Sequence, residues 1–243
     1  RLVGNSAALT EISTSIRGGT EQTNFMLGGT FRNEKTVLPG NTGLMKGALN
    51  MSVTHKSADD RFRATGSVKY VADQNNSLAA DLTSFFNLAP NYPIYDANGA
   101  FYWFGNDQNP IAYLERKSLS KTQNILGDLN VSYRVTDGLS LRVTGGFNRM
   151  TMSQVQTSPK VSFNPQTYTG SMAIYGSSYP NSFIIEPQAE YTVALGKGKL
   201  TALAGGTWQH SLMEGNSIIG NGYVSDAQLE NIKAAVVLTP RTY

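Results

Sequence analysis

The chain has 243 residues, 40% hydrophobic and only 15% charged, with a formal charge of +3, two histidines and no cysteine. The missing thiols exclude disulfides, thiolate metal sites, iron–sulfur clusters and cysteine nucleophiles, and His55 and His210 are too few for a histidine-rich metal centre. Low charge with 24 glycines fits neither a charge-dominated disordered chain nor a helical enzyme, and singly scattered Lys and Arg leave no nucleic-acid footprint.

The opening Arg1-Leu2-Val3-Gly4 lacks the basic start, apolar stretch and cleavage site of a signal peptide. No apolar run approaches the roughly 18 residues of a membrane helix, so any membrane crossing falls to strands. Period-two patterning, the signature of half-buried strands, recurs along the whole sequence. Ile12, Thr14 and Ile16 lead through Gly18-Gly19-Thr20-Glu21 to Phe25, Leu27, Gly29 and Phe31. Leu49, Met51 and Val53 lead through Ala58-Asp59-Asp60 to Phe62, Ala64, Gly66, Val68 and Tyr70. Leu129, Val131, Tyr133 and Val135 alternate with Asp128, Asn130, Ser132 and Arg134, then turn at Thr136-Asp137-Gly138 into Leu139, Leu141, Val143 and Phe147. Ala189, Tyr191, Val193 and Leu195 turn at Gly196-Lys197-Gly198 into Ala202, Ala204 and Trp208. These segments predict eight strands in four tight hairpins.

The connections between hairpins, roughly 33–43, 74–120, 151–183 and the tail from 214, read as long irregular loops. All nine prolines except Pro187 fall in them, where no ladder hydrogen bond is lost; Pro187 marks a strand start or a bulge. Short turns alternating with long loops is the connectivity of an outer-membrane barrel, with turns at the periplasmic end and loops outside. A lipid-facing band ~25 Å tall on strands tilted ~40° corresponds to about ten residues. On the apolar parity, Phe31, Tyr70, Phe147 and Trp208 lie ten or eleven residues past Glu21, Asp60, Asp137 and Lys197, while Phe25, Phe62, Tyr133 and Tyr191 sit near the turns. Two aromatic girdles are therefore expected. The opposite parity carries Arg17, Arg32, Lys46, Lys56, Arg61, Arg63, Lys69, Arg134 and Arg142 against Asp128 and Glu190; it reads equally as a generically solvated lumen or as a basic lining that attracts acidic substrate groups or pairs with carboxylates of a plug.

The loop residues Phe101, Tyr102, Trp103 and Phe104, with Tyr92, Tyr95 and Tyr113 beside them, form the densest aromatic patch. Such rings bind substrate, dock a partner protein or hold the loop's own small core. A helix is expected from Ser225, with Ser225 and Gln228 as a capping box and Leu229 and Ile232 on one face. No catalytic constellation emerges: neither histidine has a carboxylate and hydroxyl in a triad-like pattern, and Asp59-Asp60 point apart in a tight turn. The Gly pairs 18-19, 28-29, 145-146 and 205-206 lack the following Lys-Ser/Thr of a phosphate loop and read as bends or places of close backbone approach. The residues thus point to no enzyme, no cofactor and no metal.

The order Asn109-Pro110-Ile111-Ala112-Tyr113-Leu114, then Lys121 to Asn130, then Leu139 to Asn148, together with Ser13 to Lys35 and its Gly-Gly-Thr-Glu-Gln-Thr-Asn turn, resembles the barrel region of SusC/RagA-type TonB-dependent outer-membrane transporters of Bacteroidetes. The resemblance covers essentially the whole chain through loose motifs in a family-like order. It implies that residues 1–243 are a partial receptor barrel domain, an internal slice without the plug or the TonB-interacting segment. It further implies a Gram-negative outer-membrane setting and import of glycan or peptide oligomers. The partners would be outer-membrane lipid, the rest of the barrel and plug, a SusD-like surface lipoprotein over the long loops, and TonB only through the N-terminal parts. The fold expected is an all-β antiparallel transmembrane barrel portion of about eight strands. The alternative is a self-contained soluble β-barrel or sandwich serving binding or adhesion, with apolar side chains inside and polar ones out.

Overall fold

The computed structural model describes residues 3–4, 6–89, 91–103 and 109–241. Its strands are β1 (Ala8–Gly19), β2 (Thr23–Lys35), β3 (Gly43–Lys56), β4 (Phe62–Leu78), β5 (Lys117–Arg134), β6 (Leu139–Ser158), β7 (Met172–Leu195), β8 (Gly198–Gly205), β9 (Trp208–Asn221) and β10 (Val237–Pro240). All belong to one antiparallel ten-stranded sheet in which every strand pairs with its sequence neighbour, except that β8 and β9 both pair with β7. The sheet is open, with β1 at one edge and β10 at the other. Among the described residues there is no second sheet to pack against, so the sandwich alternative has no counterpart in them.

In three of the four tight turns the side chains that hold the turn come from the turn itself. Thr20 Oγ1 accepts from the Gln22 and Thr23 amides, and Thr136 Oγ1 from those of Gly138 and Leu139. At 57–61, Asp59 Oδ1 accepts from the Ser57 hydroxyl at 2.5 Å and the Arg61 amide at 3.1 Å. Asp60 there takes the left-handed conformation, φ 54°, which Asp tolerates better than most side chains.

Two expectations are corrected. The strands run well past the predicted ends: 74–78, 117–120, 151–158, 172–183 and 214–221 are strand, leaving loops at 36–42, 79–116, 159–171 and 222–236. In segments such as Thr151-Met152-Ser153-Gln154-Val155-Gln156 both faces are largely polar, so no alternation advertises the strand although the ladder continues. Ten strand segments replace the predicted eight because β8 and β9 are one run interrupted at Gly206-Thr207, and because β10 adds a short partner to the end of β9.

Proline placement follows from this. Pro180 lies inside β7 and Pro240 in β10, contrary to the loop expectation. Pro180 sits where β7 pairs with β9 but the β6–β7 ladder lapses between Arg149↔Asn181 and Met152↔Ser178. Pro187 starts no strand; it faces the gap between β8 and β9, accepting the Gly206 amide at 3.1 Å without a donor to return. Register is unchanged across both gaps, so each proline costs ladder bonds and nothing else.

The pairing also fixes the inclination of the strands. One hydrogen-bonded row runs Phe25, Val53, Gly66, Leu129, Gly145, Ile185, Trp208. It begins four residues past Glu21 and ends eleven past Lys197. Seven residues at ~3.3 Å each over six spacings of ~4.8 Å is a tilt of about 40°, the value strands take in closed barrels.

Candidate functional site

Directly paired residues share a face of the sheet, so the register sorts every side chain. One face carries Ile12, Ile16, Leu27, Met51, Leu49, Val68, Leu129, Val131, Val143 and Leu200 from β1 to β8, and all eight predicted girdle aromatics. They do not converge on a dry centre: Phe31 is 44% exposed, Tyr70 39%, Phe147 44% and Trp208 65%. Near the turns, Phe62 pairs with Tyr133 and Tyr191 with Leu139. Farther along, Phe183 meets Trp208 edge to face at 5.2 Å.

Glycines on this face accommodate those rings. Gly127 pairs directly with Phe147, and a Cβ on Gly127 would collide with the Phe147 ring. The aromatic lies across the neighbouring strand's bare backbone, covering it. Cross-strand packing, which only register reveals, is thus a use of glycine here that the sequence pairs did not suggest.

The opposite face is polar and carries Arg17, Arg32, Arg63, Lys69, Arg134 and Arg142, as the parity requires. Arg61 belongs to the turn before β4 and not to a strand, yet it joins Arg63, Arg134 and Arg142 around a cavity of about 510 Å³ at the short-turn end, whose acidic lining is Asp60 and Glu190. Arg63, Ser132, Arg142 and Gln188 form one cross-strand row there. Among the described residues, the ion pair in this cluster is a loose one, Arg61 to Asp59 at 3.8 Å, with no pair within 4 Å on Arg63, Arg134 or Arg142. Nearer β1, Arg32 is held by Glu34 at 2.7 Å and Glu11 at 3.6 Å, beside Lys46 and Lys69.

At the other end, the loops are tied down by two residues that sequence reasoning left without a role. Asn109 is fully buried. Its amide donates to the Ile94 and Tyr102 carbonyls at 2.8 and 2.9 Å, and its Oδ1 accepts from the Ile111 and Ala112 amides at 2.9 and 3.0 Å. One side chain thereby satisfies four backbone groups of loop 79–116. Arg116 lies 4.1 Å from the Tyr113 ring centre and 4.6 Å from that of Phe163, and donates to the Ser162 carbonyl at 2.7 Å. This pins loop 79–116 to loop 159–171. Burial draws the Arg116 guanidinium pKa below its ordinary value, with Tyr113 opposing the change.

The aromatic patch organises its own loop. Tyr95 stacks on Phe101 at 5.7 Å across a small bridge closed by Asp96, whose Oδ1 accepts from the Asn98 and Ala100 amides. Tyr92, Tyr102 and Trp103 are half-buried, Tyr95 is 50% exposed, and Phe104 lies outside the described residues. The expected helix at Ser225 is replaced by two 3₁₀ turns, Asp226–Gln228 and Ile232–Ala234. Ser225 does cap the first, accepting from the Ala227 amide, but Asn231 caps a second turn on the Lys233 amide and breaks the run.

No protein-family model matches the chain, and no curated protein matches its sequence. Solved structures do match. A chain of the RagAB peptide importer in its closed-closed state is similar with TM-score 0.71 and 16% identity over 99% of this chain and 29% of that one. The open-open state gives 0.70, 17%, 99% and 28%, and a further RagAB peptide transporter structure 0.69, 16%, 99% and 29%. The chain thus spans less than a third of the solved chains it matches, and across that span its all-β antiparallel sheet has the fold of part of the RagAB transporter chain.

Proposed function

We propose that these residues form part of the wall of a TonB-dependent outer-membrane importer of SusC/RagA type, which admits peptide oligomers without chemically changing them. The observation that carries this reading is the sidedness of the short-turn half of a tilted, open sheet: an apolar face bearing aromatics, and a polar face on which, among the described residues, Arg63, Arg134 and Arg142 have no ion pair within 4 Å. Hydrocarbon is the medium that tolerates the first, and a water-filled or plugged lumen the second. The open edges at β1 and β10 are completed by further strands of the same barrel, since long unpaired edges otherwise invite aggregation. In this arrangement the short turns face the periplasm. The arginine cluster there pairs with carboxylates of the plug or draws acidic groups of the substrate. The loops held by Asn109 and Arg116 form the outer mouth, on which a SusD-like lipoprotein sits.

Peptide import is supported by the function named for the RagAB structures. The test is uptake of fluorescent oligopeptides by cells that carry the full-length transporter and an energised TonB system, against cells deleted for the transporter. Uptake that requires the transporter is the expected result; equal uptake without it overturns the proposal.

A further inference from the structure

Opposite the arginine cluster, at the long-loop end of the polar face, β6, β7 and β9 enclose a second cavity of about 600 Å³. Its floor follows from the register: Gln154 pairs with Gly176 and Gly176 with Ser217, while Met152 pairs with Ser178 and Ser178 with Gly215. Gly176 and Gly215 remove side chains from the middle of the patch. Met152, Met213, Gln154 and Gln156 stand around it. Arg241 is the ionisable residue in the lining, and it contributes from beyond the end of β10.

The chemistry of this lining is selective. Among the described residues it holds no aromatic ring and no carboxylate, so these offer neither the flat apolar platform nor the acidic hydrogen-bond acceptors that would grip a sugar. Methionine side chains are unbranched and polarisable and adapt to aliphatic groups of different shape. The Gln154 amide is anchored by donating to Ser118 Oγ at 3.0 Å, which leaves its carbonyl oxygen to accept from a peptide N–H. Gln156 adds a second amide able to pair with either group of a peptide bond.

Resting on the importer reading above, we propose that this cavity is a subsite for an uncharged aliphatic or thioether side chain of an incoming oligopeptide, with the glutamine amides engaging the peptide groups beside it. Peptides bearing a lysine at that position meet the Arg241 cation and, among the described lining residues, no carboxylate, so they bind more weakly.

Gly176 gives direct access to the site. A Cβ there meets only Asn216 O at 3.9 Å and Gln154 Cβ at 4.0 Å, ordinary contacts, so a larger side chain fills the cavity without straining the sheet. The experiment measures binding of fluorescent heptapeptides, with Leu, Lys or Gly at the centre of a Ser-Gly background, to the purified full-length transporter. The wild type is expected to prefer the Leu peptide. Gly176→Phe is expected to weaken that peptide by about tenfold or more, the scale of losing one apolar side-chain contact, and to change the Gly peptide less than about twofold. Gly176→Ala serves as the fold control, and Met152→Trp narrows the same cavity from a flexible position should Gly176→Phe fail to assemble. Equal affinity for the three peptides in the wild type, or equal weakening of all three in the variants, overturns the subsite. A Gly176→Phe effect on a malto-oligosaccharide but not on the Leu peptide overturns the ligand class. Failure of the importer reading registers separately, as absence of transporter-dependent uptake in cells whatever the binding data give.

Discussion

The two halves of this sheet share one ladder, its register kept across two gaps, but differ in how their side chains are arranged. On β6, the segment from Leu139 to Phe147 alternates strictly, with Leu139, Leu141, Val143 and Phe147 on one face. From Arg149 to Ser158 the same strand continues with Thr151 and Ser153 on that face. The short-turn half is held by side chains within its turns and opposes an apolar face to arginines. In the long-loop half β6 carries polar residues on both faces, and loops that Asn109 and Arg116 tie together hold this end. Backbone hydrogen bonding therefore makes the strand whether or not its side chains alternate.

The largest expected effect comes from placing the same charge on the same face of β6 in each half. Val143→Arg in the full-length protein is expected to cost about 2–4 kcal/mol, the scale of a cation on the lipid face of a barrel near the bilayer midplane, and Thr151→Arg under about 1 kcal/mol. Urea-dependent unfolding in lipid vesicles measures both, and equal costs would erase the distinction between the halves. Next in size, Asn109→Ala removes one donor from each of the Ile94 and Tyr102 carbonyls and the acceptor of the Ile111 and Ala112 amides, at about 1–3 kcal/mol. It is expected to open loop 79–116 to protease while the folded barrel migrates normally in unheated gels. Arg116→Lys keeps the charge but loses the planar stack between Tyr113 and Phe163, at about 1–2 kcal/mol. Faster hydrogen exchange in loop 159–171, with no change in the turn at 57–61, is the expected reading.

The smallest effect belongs to the short turns. The Ser57 hydroxyl and the Arg61 amide hold the Asp59 carboxyl below the usual carboxylate range. A lowered pKa stabilises the turn above the ordinary value and is lost as pH falls through the lowered one. Asp59→Asn is thus expected to lower Tm slightly at neutral pH and not at all once the pH has fallen below the lowered pKa, where both forms are uncharged. A deficit that persists in acid would assign the effect to packing.

This contrast also explains what the sequence made legible. Turn positions, face assignments and the spacing of Phe31, Tyr70, Phe147 and Trp208 from their turns were readable because apolar residues recur with period two on one face of the short-turn half. The strand segments at 151–158 and 172–183 were not, since Gln154, Gln156, Ser177 and Ser178 follow no such pattern. Pro180 misleads for a related reason: proline forbids a ladder bond on one side only, and at that point β6 has let go. Asn109 stood within the quoted Asn-Pro stretch, but four hydrogen bonds to backbone groups as distant as Ile94 are set by the folded loop. Arg116 is similarly mute in sequence, its two rings lying on different loops.

Everything rests on the two faces of the short-turn half meeting different media. Spin labels placed one at a time from Ile125 to Tyr133 of the full-length protein in lipid vesicles measure this directly, through collision with oxygen, which partitions into lipid, and with a water-soluble nickel chelate. The account predicts that oxygen accessibility peaks at 125, 127, 129, 131 and 133 and nickel accessibility at 126, 128, 130 and 132. Nickel accessibility that is high at every position, or an alternation of the opposite phase, would contradict it.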